Sequence, residues 1–167
     1  GCPSGVIACD GGDSLDIDQY APSIAGTDSG FMVTWYNSNG DSSAVFAQRL
    51  DAAGQKVDTN IAVSTETGSN HSAPSVAVSP DGNRYAIFWY AWAGSSYILL
   101  SQRYQNGQPL GVNEMLVDTA SWGYLETYGA QNVAATGDRL FFAWTGLKNG
   151  SHTLYDVYGM VTDWYVT

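Results

Sequence analysis

The chain has 167 residues, of which 44% are apolar, 13% aromatic and 13% charged, enough for one domain with a real core and incompatible with a disordered chain. A formal charge of −10, from 16 acidic and 6 basic residues, disfavours nucleic acid and anionic membrane as partners, because an acidic surface repels phosphate. Nineteen glycines and few Leu, Glu, Lys or Arg disfavour a helical bundle, and no apolar run approaches the ~18 residues of a membrane span.

The first 19 residues open on Cys2-Pro3-Ser4-Gly5 and an apolar run, Val6-Ile7-Ala8-Cys9, long enough for one strand. Cys2 and Cys9 stand seven apart, and a local disulfide is expected, which implies an oxidising compartment, extracellular or periplasmic. Two thiols are the alternative. The sequons at Asn70 and Asn149 fit the same location. With no initiator Met or signal peptide, the chain is expected to be processed or excised. In the glycine-rich loop that follows, Asp10, Asp13, Asp16 and Asp18 offer oxygen ligands to calcium. Their spacing matches no EF-hand, and a solvated acidic turn explains it as well.

Three units follow, each a four-strand meander expected to be antiparallel. The first, about residues 20–64, reads as strands at Ser23–Gly26, Phe31–Tyr36 and Ala44–Leu50, with a fourth near Ile61-Ala62-Val63. The second, about residues 72–118, repeats Ala-Pro-Ser at Ala73-Pro74-Ser75 and continues through Tyr85-Ala86-Ile87-Phe88-Trp89 and Ile98–Tyr104 to Glu114-Met115-Leu116-Val117. Asn106-Gly107 sits where the third and fourth strands meet, a pair that favours tight hairpin turns. The third, about residues 129–167, keeps Leu140-Phe141-Phe142-Ala143-Trp144 but puts Gln131-Asn132 for Pro-Ser and Gly159-Met160 for Gln-Arg. Trp35, Trp89 and Trp144 lie 54 and 55 residues apart, and are expected in the core; Gln48 and Gln102 each follow their tryptophan by 13.

The third unit ends before a full fourth strand, and residues 5–9 have the missing piece. Val6–Cys9 precedes Ala25 by 16 to 19 residues, much as Met115-Leu116-Val117 precedes Ala134 by 17 to 19. This permutation resembles the closure of β-propellers, where an N-terminal strand completes the last blade. The motif is similar to repeats of secreted bacterial propeller proteins: Pro-x-[Val/Ile]-Ala, a glycine turn, an apolar strand ending in Trp, then Gln-Arg-[Leu/Tyr]. Ser79-Pro80-Asp81-Gly82 also resembles the turns of another propeller group. The resemblance implies an all-β fold of three propeller-type blades in one domain, with the N-terminal strand completing the last. Propellers have about four to eight blades, so three imply self-association. Half of a six-bladed ring closed by a dimer is expected, or a filament, with a fragment of a larger propeller as the rival.

In such meanders the second-to-third loops and the blade connections share one end and are expected to be the longer ones. That end collects Trp92, Trp122, Tyr36, Tyr90, Tyr124 and Tyr128 as candidate ligand-binding residues, with Tyr20 beside them. Flat rings with polar tips suit sugar faces; for Trp92 and Trp122 packing under the loops is the alternative. His71 and His152 are expected to face solvent. No nucleophile elbow, phosphate loop or zinc-protease motif occurs, and Asp18, Glu66 and Glu126 are the only carboxylates that suggest themselves for glycoside cleavage. The expected function is therefore a secreted, non-enzymatic, lectin-like module binding a glycan or cell surface as an oligomer, without a cofactor unless calcium. A filament subunit and a fragment of a glycan-acting propeller enzyme are the alternatives.

Overall fold

The computed structural model describes residues 17–65, 69–117, 132–147 and 153–165. These form eleven strands, every pairing antiparallel, and no helix occurs among the described residues. The first sheet is β1 (Asp18–Thr27), β2 (Gly30–Ser38), β3 (Ser43–Asp51) and β4 (Lys56–Ala62), in that order. The second is β5 (His71–Val78), β6 (Arg84–Trp92), β7 (Tyr97–Gln105) and β8 (Gln108–Val117). The third has β9 (Asn132–Ala135), β10 (Arg139–Leu147) and β11 (Tyr155–Asp163). Residues 5–9, and with them the expected closing strand, lie outside the described residues, as do Cys2 and Cys9.

Position in the stack explains the apolar pattern of each strand. The second sheet lies between the others, and β6 is buried along Tyr85–Ala91, so its sequence is apolar on both faces. One core is shared by Met32, Val45, Ala47 and Val63 of the first unit with Val76, Tyr85, Ile87, Trp89 and Leu100 of the second. The other joins Phe88, Tyr90 and Leu99 to Leu140, Phe142, Trp144 and Trp164. The first strands pack side by side, β5 against β1 and β9, which makes them the inner strands of the array. Trp35, Trp89 and Trp144 are all buried, as their shared register required.

The repeated motifs mark bulges. Ala21 and Ala73, each before a proline, have φ of 49° and 46°, and pairing to the second strand shifts between Tyr20 and Ser23 and between Ser72 and Ser75. A proline lacks the N–H a regular ladder needs, and a bulge is where a strand tolerates it. The Gln-Arg motif marks a second bulge. The fourth strand slips at Gln48 and at Gln102, and each carboxamide bridges the gap. Gln48 Nε2 donates to the carbonyls of Arg49 (2.8 Å) and Val57 (2.9 Å), and Gln102 Nε2 to those of Arg103 (3.0 Å) and Leu110 (3.2 Å). Across each slip stands a residue in the left-handed region, Asp58 (φ 63°) or Gly111 (φ 70°). Asp58→Gly is expected to stabilise the fold by up to about 1 kcal/mol, since a side chain is strained there and the exposed Arg49–Asp58 pair at 4.0 Å contributes little. The urea midpoint measures it; a lower midpoint would refute the strain argument.

These bulges also correct the expected strand limits. β1 starts at Asp18 rather than Ser23, β4 at Lys56 and β8 at Gln108, because the chain passes through each irregularity and resumes pairing beyond it. In the third sheet the register differs from the sequence alignment by one. Met160 lies opposite Phe142, as Gln48 lies opposite Val33, so Met160 and Val161 take the places of Gln and Arg. The loop before β11 is longer than in the other units, which hid that shift from a comparison of spacings.

Candidate functional site

Asp18, Tyr36, Tyr90 and Trp92 all lie at the end of their sheets that carries the β2–β3 and β6–β7 loops. Those two loops, residues 39–42 and 93–96, are four residues each, against two to five residues for the turns at the opposite end, so they are not the consistently longer loops expected. Asn39 closes the first by accepting at Oδ1 from the backbone N–H groups of Asp41 (3.1 Å) and Ser42 (2.9 Å). A backbone bond from Ala93 to Ser96 at 2.9 Å closes the second. The length at this end resides in residues 63–70, 118–131 and 148–154.

The structure separates the candidate aromatics. Tyr90 is only 1% exposed and packs with Phe88 and Leu99 against the third sheet; burial pushes its phenol up to about 12. It is a core ring, and the expectation that it contacts ligand is corrected. Its strand is buried on both faces, which alternation alone does not reveal. Trp92 is half-buried, edge-on to Tyr97 at 5.0 Å, and its backbone N–H donates to the Asn70 carbonyl at 2.8 Å. Trp122, Tyr124 and Tyr128 lie outside the described residues.

Tyr36 belongs to an aromatic pair at this end of β1. Its half-buried ring stacks on Tyr20 with centroids 5.4 Å apart, and Tyr20 is 44% exposed. The bulge at Ala21-Pro22 sets up this arrangement, since pairing is regular from Asp18 to Tyr20 and shifts directly after. The Tyr20 hydroxyl donates to Asp18 Oδ2 at 2.8 Å, and that bond and the carboxylate's charge raise the phenol above its usual value. The result is an exposed ring fixed at both ends, by a stacked partner and by a carboxylate, at the mouth of an inner strand. Such a pair offers a flat apolar face and a hydrogen-bonding rim to one ligand.

Two further residues at this end were misjudged or missed. His71 does not face solvent: it is fully buried, and its Nδ1 accepts from Trp89 Nε1 at 3.0 Å. Its backbone also exchanges two 2.6 Å bonds with the Ser43 hydroxyl, which ties the first two sheets together. His152 lies outside the described residues. Asn113, in a strand that reads as ordinary edge sequence, holds the chain between β4 and β5. Its Oδ1 accepts from Thr65 N and Oγ1, both at 2.9 Å, and its Nδ2 donates to the Val63 carbonyl and Gln102 Oε1. Only a partner 48 positions away reveals that role.

As for metal, Asp10, Asp13 and Asp16 lie outside the described residues, and Asp18 is engaged with Tyr20. Among the described residues no three His, Cys, Asp or Glu side chains come together.

No protein-family model and no curated protein matches the chain. Two solved structures do. One is an endo-arabinase from Bacteroides thetaiotaomicron, at TM-score 0.53 and 15% identity, covering 89% of this chain and 57% of its own. The other is a GH43 endo-arabinanase from Bacillus licheniformis, at TM-score 0.51 and 20% identity, covering 86% of this chain and 51% of its own. The chain thus spans a little over half the length of each. Both are enzymes, so the expectation of a non-enzymatic, lectin-like binding module is overturned. At these identities what is shared is the fold, an all-β, propeller-like array of antiparallel sheets.

Proposed function

We propose that the chain is part of a propeller-type enzyme acting on glycans, its three sheets serving as blades, and that Asp18, Tyr20 and Tyr36 contact the sugar. The likeness to two endo-arabinanases carries the reading. The stacked Tyr20–Tyr36 pair beside Asp18 supports the placement, because sugar rings stack on exposed aromatic faces while their hydroxyls take up carboxylate oxygens. Glycoside cleavage by the common route needs two carboxylates flanking the bond. Asp18 supplies one from the inner strand, and Asp41 and Asp156 are the others at this end of the sheets among the described residues.

The test is release of reducing ends from a panel of arabinans, xylans and other plant and bacterial glycans, with oligosaccharide binding followed by calorimetry. Tyr20→Ala is expected to weaken binding about 5- to 10-fold, the worth of one stacking contact. Asp18→Asn should abolish turnover while the chain still melts cooperatively. Neither binding nor turnover on any glycan of the panel would end the proposal.

A further inference from the structure

We infer that the cleft between the first two sheets, at the end opposite Tyr20, binds a small carboxylate, held by Arg49 and the buried hydroxyl of Tyr85. The two gaps between sheets are built from equivalent positions, and at this end they finish differently. In the gap between the second and third sheets, Leu140 stands four residues before its tryptophan and is fully buried. Arg103 is taken up there by Glu114 and Thr162. Trp164 then caps the gap: it is 1% exposed, lies under the Arg84 guanidinium at 5.1 Å and donates to the Thr136 carbonyl at 3.2 Å. That end is filled by side chains with partners of their own.

In the first gap the register puts Tyr85 in the place of Leu140 and Asn106, beside Gly107, in the place of Trp164. Arg49 keeps the place of Arg103, but Ile61 stands where Glu114 stands, and Arg49 reaches Asp58 only loosely, at 4.0 Å. The result is a cleft of about 50 Å³ lined by Thr27, Ser29, Arg49, Gly82 and Tyr85, with Met32 and Leu50 as its apolar wall. Arg49 extends across it, with Nη1 3.9 Å from where a Cβ on Gly107 would lie. A Cβ on Gly82 would come within 2.9 Å of Ser29 Oγ and 3.2 Å of Thr27 Oγ1, so the turns of the second sheet leave this space open. Tyr85 is 3% exposed, and its ring is fixed by Tyr104, stacked at 4.4 Å. Its hydroxyl has no hydrogen-bond partner among the described residues, a costly state for a buried polar group.

The chemistry of the cleft selects an acceptor. A guanidinium only donates, and burial pushes the Tyr85 phenol up to about 12, so it keeps its proton. Thr27 Oγ1 and Ser29 Oγ are bonded to each other at 2.9 Å, which leaves one of the two hydroxyls a proton to give. Two oxygens on a short apolar stem match such donors beside Met32 and Leu50, and arginine favours planar carboxylates. The volume admits little beyond the carboxylate itself. The ligand is therefore a short free acid, or an acidic sugar whose ring stays in solvent.

Nuclear magnetic resonance titration of the whole chain tests this without glycan turnover, so its failure and that of the proposed activity are separate. Acetate and glucuronate are compared with neutral acetamide at constant ionic strength. Acetate is expected to shift the amides of Ser29, Gly30 and Gly82 saturably, with a Kd on the order of 1–10 mM, within reach of a ligand this small. Arg49→Gln and Tyr85→Phe should each weaken binding about 10-fold or more, the worth of a charge-assisted hydrogen bond. Tyr85→Phe should still melt as the wild type does, because the lost hydroxyl strands no partner. Tighter binding of glucuronate than of acetate assigns the cleft to an acidic sugar, and the reverse order assigns it to a free short acid. No saturable shift by about 100 mM acetate would overturn the inference and make the cleft a hydration site only. Acetamide binding as tightly as acetate, or undiminished binding in both variants, would overturn it as well.

Discussion

Trp89→Ala is expected to cost the most stability of any single truncation, on the order of 3–5 kcal/mol from the cavity alone. The indole is wholly buried between the first two sheets, in a core with Met32, Val45, Tyr85 and Leu100. Its N–H is also the donor to His71 Nδ1 at 3.0 Å, so the truncation strands a buried acceptor at roughly 1–3 kcal/mol more. Against a total stability of about 5–15 kcal/mol, much of the chain should be unfolded at 37 °C. Trp89→Phe, which refills most of the space but lacks the N–H, separates the two contributions. Urea unfolding followed by far-ultraviolet circular dichroism reads both, and a loss below about 1 kcal/mol for the alanine variant would show that the sheets do not depend on this contact.

Glu114→Gln is expected to cost about 3–5 kcal/mol, the usual penalty for leaving a buried charge without its partner. The Arg103 guanidinium is almost wholly buried, pairs through Nη1 with Glu114 of β8, and donates from Nη2 to Thr162 Oγ1 of the third sheet at 3.0 Å. One side chain thus fastens the fourth strand of its own sheet and the end of the next. Glu114 is one-third exposed and regains water when its partner is lost, whereas Glu114→Gln leaves the buried cation without a counter-charge. Arg103→Met combined with Glu114→Gln should therefore recover much of the loss, because an apolar side chain of similar volume replaces the pair. Additive losses in the double variant would mean that packing, not charge, dominates here. The equivalent Arg49 is half exposed and loosely paired with Asp58, so Arg49→Ala is expected to change stability far less.

The repeat, the antiparallel meanders and the buried tryptophans were legible in the sequence because each rests on local chemistry. Alternating apolar residues, Asn-Gly turns and a tryptophan every 54 or 55 residues fix strand, turn and core side without reference to distant contacts. The Ala-Pro-Ser and Gln-Arg motifs were legible as repeats but not as bulges, since only the pairing register shows that Ala21 and Ala73 leave the ladder and that Gln48 and Gln102 bridge it. The one-residue offset at Met160 was hidden for the same reason: register belongs to the pair of strands, and a longer loop shifts the spacing without shifting the pairing.

Which aromatic faces outward was decided by the tertiary structure alone. Tyr90 and Tyr36 occupy comparable places beside their tryptophans, yet Tyr90 is sealed by the third sheet while Tyr36 lies half-buried against an exposed Tyr20. His71 reads as a loop histidine until the first sheet closes over it and Trp89 supplies its partner. The non-enzyme reading failed on similar ground. It rested on the lack of a catalytic motif, and a pair of carboxylates flanking a glycosidic bond has no fixed sequence spacing to serve as one. A sequence specifies how each sheet forms, because hydrogen-bond ladders and turns are near-neighbour interactions. Burial, and with it the division between core and site, depends on what stacks against each sheet.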